Sequence, residues 1–133
     1  MKKLLLLSAL LIFACSSDDS SDNNNQNSII GNWQLSCICE DGLPVEGNSL
    51  TVCELQSNMI FLESNTGNYE LYDEDGFEGD CIMESIDLTW NQESSISYSI
   101  TAYGDEPGSS LGIIDGNTLS INDNGIDVVF VKN

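Results

Sequence analysis

The sequence contains no histidine and no arginine, and it has few cations of any kind. Its 133 residues include 3 Lys and Arg against 22 Asp and Glu, for a formal net charge of -19. Such a chain has little with which to neutralise phosphate groups, so we expect no binding to nucleic acid. The missing histidine excludes Ser-His-Asp and Cys-His catalysis and every metal site built on imidazole. The missing arginine excludes bidentate clamping of a carboxylate or phosphate ligand.

Catalysis by paired carboxylates also lacks a candidate pair. The 22 acidic residues have no partner base, and no serine or cysteine stands in a setting typical of a nucleophile. The pairs Ser94-Ser95 and Ser109-Ser110 are typical of turns. We therefore expect a protein that is not an enzyme and that needs no cofactor.

The first fourteen residues have the order of a secretory signal. Lys2 and Lys3 provide a basic start, and residues 4–14 form an apolar run broken only by Ser8. The run is too short to cross ~30 Å of hydrocarbon, which takes roughly 20 residues. We therefore predict a signal peptide over residues 1–14 and not a membrane-spanning helix.

The end of this run is more specific. Ile12-Phe13-Ala14-Cys15 resembles the lipobox of bacterial lipoproteins, in which the cysteine is acylated and the signal is cut before it. The resemblance implies a lipidated Cys15 and a protein held to a membrane by several acyl chains. The alternative is a plain signal peptide whose Cys15 joins a disulfide.

Residues 15–28 contain Ser, Asp, Asn and Gln and no apolar residue after the cysteine, which predicts a flexible tether. The acidic, serine-rich run at 16–22 resembles the surface-export signal of one large lineage of Gram-negative bacteria. The resemblance implies lipid anchoring in the outer membrane with exposure at the cell surface. The alternative is a solvated spacer that leaves the protein on the periplasmic side.

Residues 29–133 form one domain with the pattern of β-strands throughout. Apolar and polar side chains alternate, which places one face of each strand in a core and the other in water. Residues that accept positive φ mark the turns at Asp41-Gly42, Asn65-Thr66-Gly67, Asp115-Gly116-Asn117 and Asp123-Asn124-Gly125. We predict strands at roughly 31–39, 50–55, 58–63, 68–73, 84–90, 95–102, 110–114, 117–122 and 126–132, with an approach loop as the alternative for 50–55.

Short connections between consecutive strands favour sequential pairing. The fold class is therefore predicted to be all-β, a small antiparallel up-and-down β-barrel of about eight strands that closes and removes its edges. A β-sandwich is the second choice. In the first strand, the alternation places Cys37 and Cys39 on the same face as Trp33. The periods also place aromatic residues inside, as core or ligand-lining residues: Trp33, Phe61, Tyr69, Trp90, Tyr98 and Phe130.

The start of the domain resembles the lipocalins. Ile29-Ile30-Gly31-Asn32-Trp33 is similar to their Gly-x-Trp signature, and it precedes Cys53, an Asn-Thr-Gly turn, Cys81 and a strand ending in a second tryptophan. This order is similar to that of lipocalin-like domains on bacterial lipoproteins. It implies that Trp33 plugs one end of the barrel and that Lys132, at the end of the last strand, packs over it. It also implies a disulfide between Cys53 and Cys81.

Cys37 and Cys39 are then left two apart on one strand. Their Cα atoms are expected ~6.6 Å apart, near the limit for a disulfide. The two residues could form a strained bond, remain buried thiols, or pair with Cys53 and Cys81 instead. A metal site is disfavoured, because Cys-x-Cys is not the usual spacing and an oxidising compartment removes free thiols.

Residues 73–80 form the most acidic segment of the domain, Asp-Glu-Asp-Gly-Phe-Glu-Gly-Asp. Carboxylates could gather there around Ca²⁺, with Asp73, Asp75, Glu78 and Asp80 as weak candidates. The segment does not match the EF-hand loop, because Leu71 and Phe77 would fall at ligand positions. A solvated loop tip is the preferred interpretation.

The function expected from these features is that of a surface-anchored lipoprotein whose lipocalin-like barrel binds or helps to capture a small apolar ligand. The alternative is a non-catalytic structural or interaction module of the cell envelope with a filled barrel, or a weak Ca²⁺-binding surface module. An apolar cavity of ~300 Å³ or more would favour the first, and a filled lumen the second. We expect a monomer whose partners are the membrane and that ligand.

Overall fold

The computed structural model describes residues 28–47, 49–74 and 79–133, which form nine β-strands and one turn of 3₁₀ helix at Glu54–Gln56. The predicted signal peptide, Cys15 and the predicted tether up to residue 27 lie outside the described residues. No described helix has the length and apolar character that a bilayer crossing requires. The strands are β1 (Gly31–Glu40), β2 (Leu43–Pro44), β3 (Asn58–Phe61), β4 (Thr66–Glu74), β5 (Cys81–Gln92), β6 (Ser97–Ala102), β7 (Gly108–Asp115), β8 (Thr118–Asp123) and β9 (Ile126–Lys132).

The strands form one closed antiparallel sheet. Strands β3 to β9 pair in chain order, and β1 pairs with β3 on one side and with β9 on the other. Eight strands therefore close into a barrel, while β2 adds a short arm beside the end of β1. The predicted up-and-down barrel is confirmed, and the sheet is not split into the two layers of a sandwich.

The two ends of the barrel differ in the loops that connect the strands. The closed end carries residues 28–30 and the loops 62–65, 93–96 and 116–117. The mouth is the opposite end, with the long segment 41–57, the ends of β4 and β5, the loop 103–107 and the turn 124–125.

Two of the predicted turns have the backbone that their sequences require. Asp41 and Gly42 have φ values of 50° and 77°, and Asn124 and Gly125 have φ values of 53° and 92°. Type I′ turns need positive φ at both central positions, which Asn-Gly and Asp-Gly adopt at low cost. These turns set the register of β1 with β2 and of β8 with β9.

The predicted strand at 50–55 is wrong, and the alternative of an approach loop is found there. The backbone N–H of Glu54 donates to the Thr51 hydroxyl at 3.1 Å, and the Glu54 carboxylate accepts from the Thr51 N–H at 2.7 Å. This reciprocal pair is a capping box, and Cys53 between them has helical φ and ψ values of -70° and -54°. Local hydrogen bonds therefore coil the segment into the 3₁₀ turn.

A β-bulge in β1 changes which residues face the interior. The register with β9 shifts between Leu35 and Cys37, so Ser36 has no direct partner across the pair. Beyond the bulge, Ile38 pairs with Val128 and Cys39 with Asp127, so the alternation along β1 moves by one position. Cys39 is buried, with 6% of its surface exposed, and Cys37 is half-buried, but neither belongs to the main core cluster of the barrel.

The core fills the closed half of the barrel. Trp33, Phe61 and Leu119 are almost completely buried there. Gly112 on β7 allows this close packing, because a Cβ at that position would lie 2.9 Å from side-chain carbons of Ile100 and Leu119. The closed half is thus packed with large side chains, and a cavity inside the barrel lies farther toward the mouth.

Candidate ligand-binding site

The closed end is sealed by the first and last strands. Trp33 is completely buried, and its indole N–H donates to the Ile29 carbonyl at 2.6 Å. The Lys132 ammonium lies 5.0 Å from the centroid of the Trp33 ring and donates to the Ser28 carbonyl at 2.7 Å. The structure thus brings together the two residues that the resemblance paired. Burial lowers the pKa of the Lys132 ammonium below its ordinary value.

The glycine of the Gly-x-Trp sequence has a physical role beside this lysine. Gly31 has a φ of 135°, a backbone conformation that side chains other than glycine rarely adopt. A Cβ at Gly31 would also lie 3.0 Å from the Cε of Lys132. Glycine at this position therefore lets the lysine stem lie across the barrel end.

The predicted aromatic residues divide between the two halves of the barrel. Trp33 and Phe61 fill the closed half, together with Trp90 and Tyr98, whose rings meet edge to face with centroids 5.9 Å apart. The indole N–H of Trp90 donates to the Leu62 carbonyl at 3.1 Å, which anchors the β3–β4 loop. These four residues are core residues and do not line the cavity.

A cavity of about 200 Å³ occupies the half of the barrel nearer the mouth. Tyr69 and Phe130 border it, and their rings pack edge to face with centroids 6.1 Å apart. The other large lining residues are the apolar side chains of Met59, Leu88, Ile100, Ile121 and Val128. The cavity is smaller than the ~300 Å³ expected of a site for a drug-sized ligand, so the lumen is part filled and part open.

Small residues on neighbouring strands create this space. Gly108 and Ser110 of β7 and Ala102 of β6 line the cavity, and a Cβ built at Gly108 would meet nothing within 4 Å. None of these three residues is among the ligand-lining residues predicted from the sequence. The available signal was the period of two in Gly108, Ser110 and Gly112, three small residues on the same face of β7.

The Tyr69 hydroxyl is the more buried of the two polar groups in the cavity wall. Burial raises the pKa of Tyr69 above its ordinary value, and the nearby carboxylate of Glu54 raises it further. Glu54 belongs to the capping box with Thr51, so its carboxylate is held in place at the mouth. The cavity therefore combines apolar walls with the hydroxyl-bearing residues Tyr69 and Ser110, while Glu54 lies outside the lining on the mouth segment that precedes β3.

A comparison with known protein families identifies the family to which this barrel belongs. A family model described as a lipocalin-like domain matches residues 29–124, well over half of the chain. The chain belongs to the lipocalin-like domain family. No curated protein and no solved structure matches it. The match ends in the turn before β9, so the strand that closes this lipocalin-like barrel follows the matched region.

Two disulfides brace the lipocalin-like barrel. The predicted bond between Cys53 and Cys81 is confirmed, with a Cα–Cα distance of 5.3 Å, and it ties the 3₁₀ segment to the start of β5. Cys37 and Cys39 are also bonded to each other, with their Cα atoms 5.6 Å apart, less than the ~6.6 Å expected for a regular strand. Of the alternatives for this pair, the structure therefore has the local bond.

The weak calcium candidates are only partly described. Asp73 and Asp80 are exposed at the ends of β4 and β5, and Asp75 and Glu78 lie outside the described residues. Within residues 28–47, 49–74 and 79–133, no three His, Cys, Asp or Glu side chains are grouped so that they could hold a metal ion. The calcium hypothesis therefore gains no support from the described part of the lipocalin-like barrel.

Proposed function

We propose that this protein is a lipid-anchored envelope protein whose lipocalin-like barrel binds a small apolar ligand without catalysing a reaction. The observation that carries the proposal is the apolar cavity of about 200 Å³ behind the mouth. Cavities of about 150 Å³ lined by apolar side chains are known to hold a molecule such as benzene. The space therefore suits one ring or the end of a longer apolar ligand whose remainder lies at the mouth.

Gly108 provides the decisive variant, because it lines the cavity and its neighbourhood is open. Gly108→Leu places four carbon atoms in the cavity. Ser109→Leu is the matched control, since Ser109 is the next residue on β7, faces outward and is exposed.

The probe is benzyl alcohol, titrated by NMR chemical-shift mapping and by calorimetry. We expect shifts at methyl groups that line the cavity, for example Val128, in the natural protein and in Ser109→Leu. In Gly108→Leu we expect affinity to fall at least about ten-fold, because the added side chain occupies the ligand volume. Equal affinity in the two variants would place the probe elsewhere and would remove the proposal.

Anchoring and location form the second part of the proposal. It is supported by the lipobox-like end of the signal and by the acidic serine-rich run after Cys15. Intact mass measurement of the membrane-extracted protein should find three acyl chains on Cys15, and Cys15→Ser should release the protein from the membrane. Protease added to intact cells should cut the protein if it is exposed at the cell surface and should spare it if it faces the periplasm.

The filled half of the lumen favours a second candidate, a structural or interaction module of the envelope. Phe61, Trp90 and Tyr98 occupy space that a wide ligand cavity would need. This candidate predicts that neither benzyl alcohol nor other small apolar probes shift cavity resonances. The titration with Gly108→Leu therefore separates the two candidates.

A further inference from the structure

We propose that the cavity selects its ligand by charge and takes a small apolar group that carries an amine cation, while it rejects the same group with a carboxylate. The inference rests on the ligand binding proposed above and adds the chemical class of the ligand. It is carried by the position of the apolar cavity relative to the charges of the barrel.

The carboxylates of the described residues are concentrated at the mouth. Four lie within 40–54, four within 73–84, and two in each of the segments 103–107 and 123–127, all at that end of the barrel. The closed end carries three, Glu63, Glu93 and Asp115. A ligand that enters the cavity from the mouth therefore passes through a negative electrostatic field.

The positive charge of the domain lies at the opposite end. Lys132 is the only cation of residues 28–133, and its ammonium sits over Trp33, which is not a cavity-lining residue. No basic side chain of the described residues therefore offsets the carboxylates at the mouth. Charge of one sign around a low-dielectric cleft concentrates ions of the other sign and repels ions of the same sign.

The edge of the cavity has the groups that recognise an ammonium. Tyr69 and Phe130 present aromatic rings, which attract cations over their faces. Glu54 stands in the 3₁₀ turn at the mouth, where its carboxylate accepts from the Thr51 N–H at 2.7 Å and its charge helps to raise the pKa of Tyr69. An apolar cation can thus bury its body in the cavity and keep its charge beside Glu54.

Three probes with one benzyl or phenyl body test the selection: benzylamine, benzyl alcohol and benzoate, which are a cation, a neutral molecule and an anion at pH 7. At about 10 mM salt we expect benzylamine to bind at least about five-fold more tightly than benzyl alcohol, and benzoate to bind at least about five-fold more weakly. At about 500 mM NaCl the three affinities should converge, because the Debye length falls several-fold over that range.

Two isosteric variants locate the effect. Glu54→Gln should lower the affinity ratio of benzylamine to benzyl alcohol by at least about two-fold. Glutamine at this position can still complete the capping box, so the loop should keep its form. Glu93→Gln removes the same charge at the closed end and should leave the ratio unchanged.

The failures of the two proposals can be told apart. If benzyl alcohol binds in the cavity and benzylamine binds no more tightly at low salt, charge selection is overturned and ligand binding stands. If benzylamine still binds to Gly108→Leu as it does to the natural protein, it sits on surface carboxylates and charge selection is again overturned. If none of the three probes binds, both proposals fall.

Discussion

The Lys132 ammonium lies 5.0 Å from the centroid of the Trp33 ring, and the two residues stand directly opposite each other on β9 and β1. The same ammonium donates to the carbonyl of Ser28. One side chain of the last strand therefore joins the first strand, the residue before the domain and the closed end of the core. The barrel is held shut at the seam where its two terminal strands meet.

Removing this cation should weaken the seam. We expect Lys132→Met to lower the free energy of unfolding by at most about 1 kcal/mol, because the lost cation–π contact and hydrogen bond are partly offset by removal of the burial cost that lowers the pKa of this ammonium. Urea denaturation followed by tryptophan fluorescence measures the change. Lys132→Arg keeps a cation and should recover at least half of the loss, whereas equal losses in the two variants would contradict the role of the charge.

Gly31 should tolerate no side chain. Gly31→Ala is expected to destabilise the protein by about 1–3 kcal/mol, because the φ of 135° is strained for alanine and the new Cβ would lie 3.0 Å from Lys132. Gly42→Ala is the matched control, with a φ of 77° and open space around its Cβ. Its loss in urea denaturation should be smaller, and similar losses would show that the contact with Lys132 contributes nothing.

The two disulfides should differ in what they contribute to stability. On the chain-entropy argument, the Cys53–Cys81 bond, with a sequence separation of 28, contributes about 3.6 kcal/mol, and the Cys37–Cys39 bond about 1.6 kcal/mol. Replacing Cys53 and Cys81 together by serine should therefore shift the urea midpoint about twice as far as replacing Cys37 and Cys39. The reverse order of midpoints would refute this ranking.

Tyr69 should make the protein sensitive to alkali. Its folded pKa is raised by burial and by Glu54, so the folded state holds the proton more tightly than the unfolded state. The stability that Tyr69 contributes in this way is complete below about pH 10, the ordinary pKa of tyrosine, and is lost as the pH rises through the folded pKa. Lys132 acts in the opposite direction. Because burial lowers its pKa in the folded state, loss of its proton at high pH favours folding.

The comparison with Tyr69→Phe isolates the tyrosine, because Lys132 is present in both proteins. Unfolding free energies measured at pH 8 and at about pH 11 should fall more in the natural protein than in Tyr69→Phe. Absorbance titration near 295 nm should also lose its most alkaline tyrosine transition in the variant. Parallel pH profiles for the two proteins would be inconsistent with a raised pKa at Tyr69.

Much of the barrel could be predicted from side-chain alternation and turn residues. The strand predicted at 95–102 is found at Ser97–Ala102, and the type I′ turns lie where Asp-Gly and Asn-Gly occur. These signals are local, because a strand with one buried face must alternate and a tight turn needs residues that accept positive φ. The pairing of Cys53 with Cys81 came from the family resemblance and is confirmed.

Local patterns failed where the backbone departs from a regular strand. Hydrophobicity alone predicted a strand at 50–55, but hydrogen bonds between Thr51 and Glu54 coil that segment. The bulge at Ser36 shifts the register of β1 with β9 just before Cys37, and nothing in the alternation of β1 reveals an extra residue. Both departures depend on geometry between neighbouring segments.

The cavity was the least predictable feature. Six aromatic residues were expected inside the barrel, and only Tyr69 and Phe130 border the space. The space itself comes from the small residues Gly108 and Ser110. They leave a cavity only because the pairing of β6 with β7 places them in the lumen together with Ala102.

The amino-acid sequence alone thus determined that strands would form, where many of them would turn and that the domain would be strongly acidic. Only the closed sheet decided which side chains meet across the lumen, where Lys132 lies and how much of the interior stays open. The reason is physical: a strand records its two faces in consecutive residues, whereas the volume inside a barrel is the sum of side chains from eight strands. That sum depends on register, and register is settled only when the first and last strands pair.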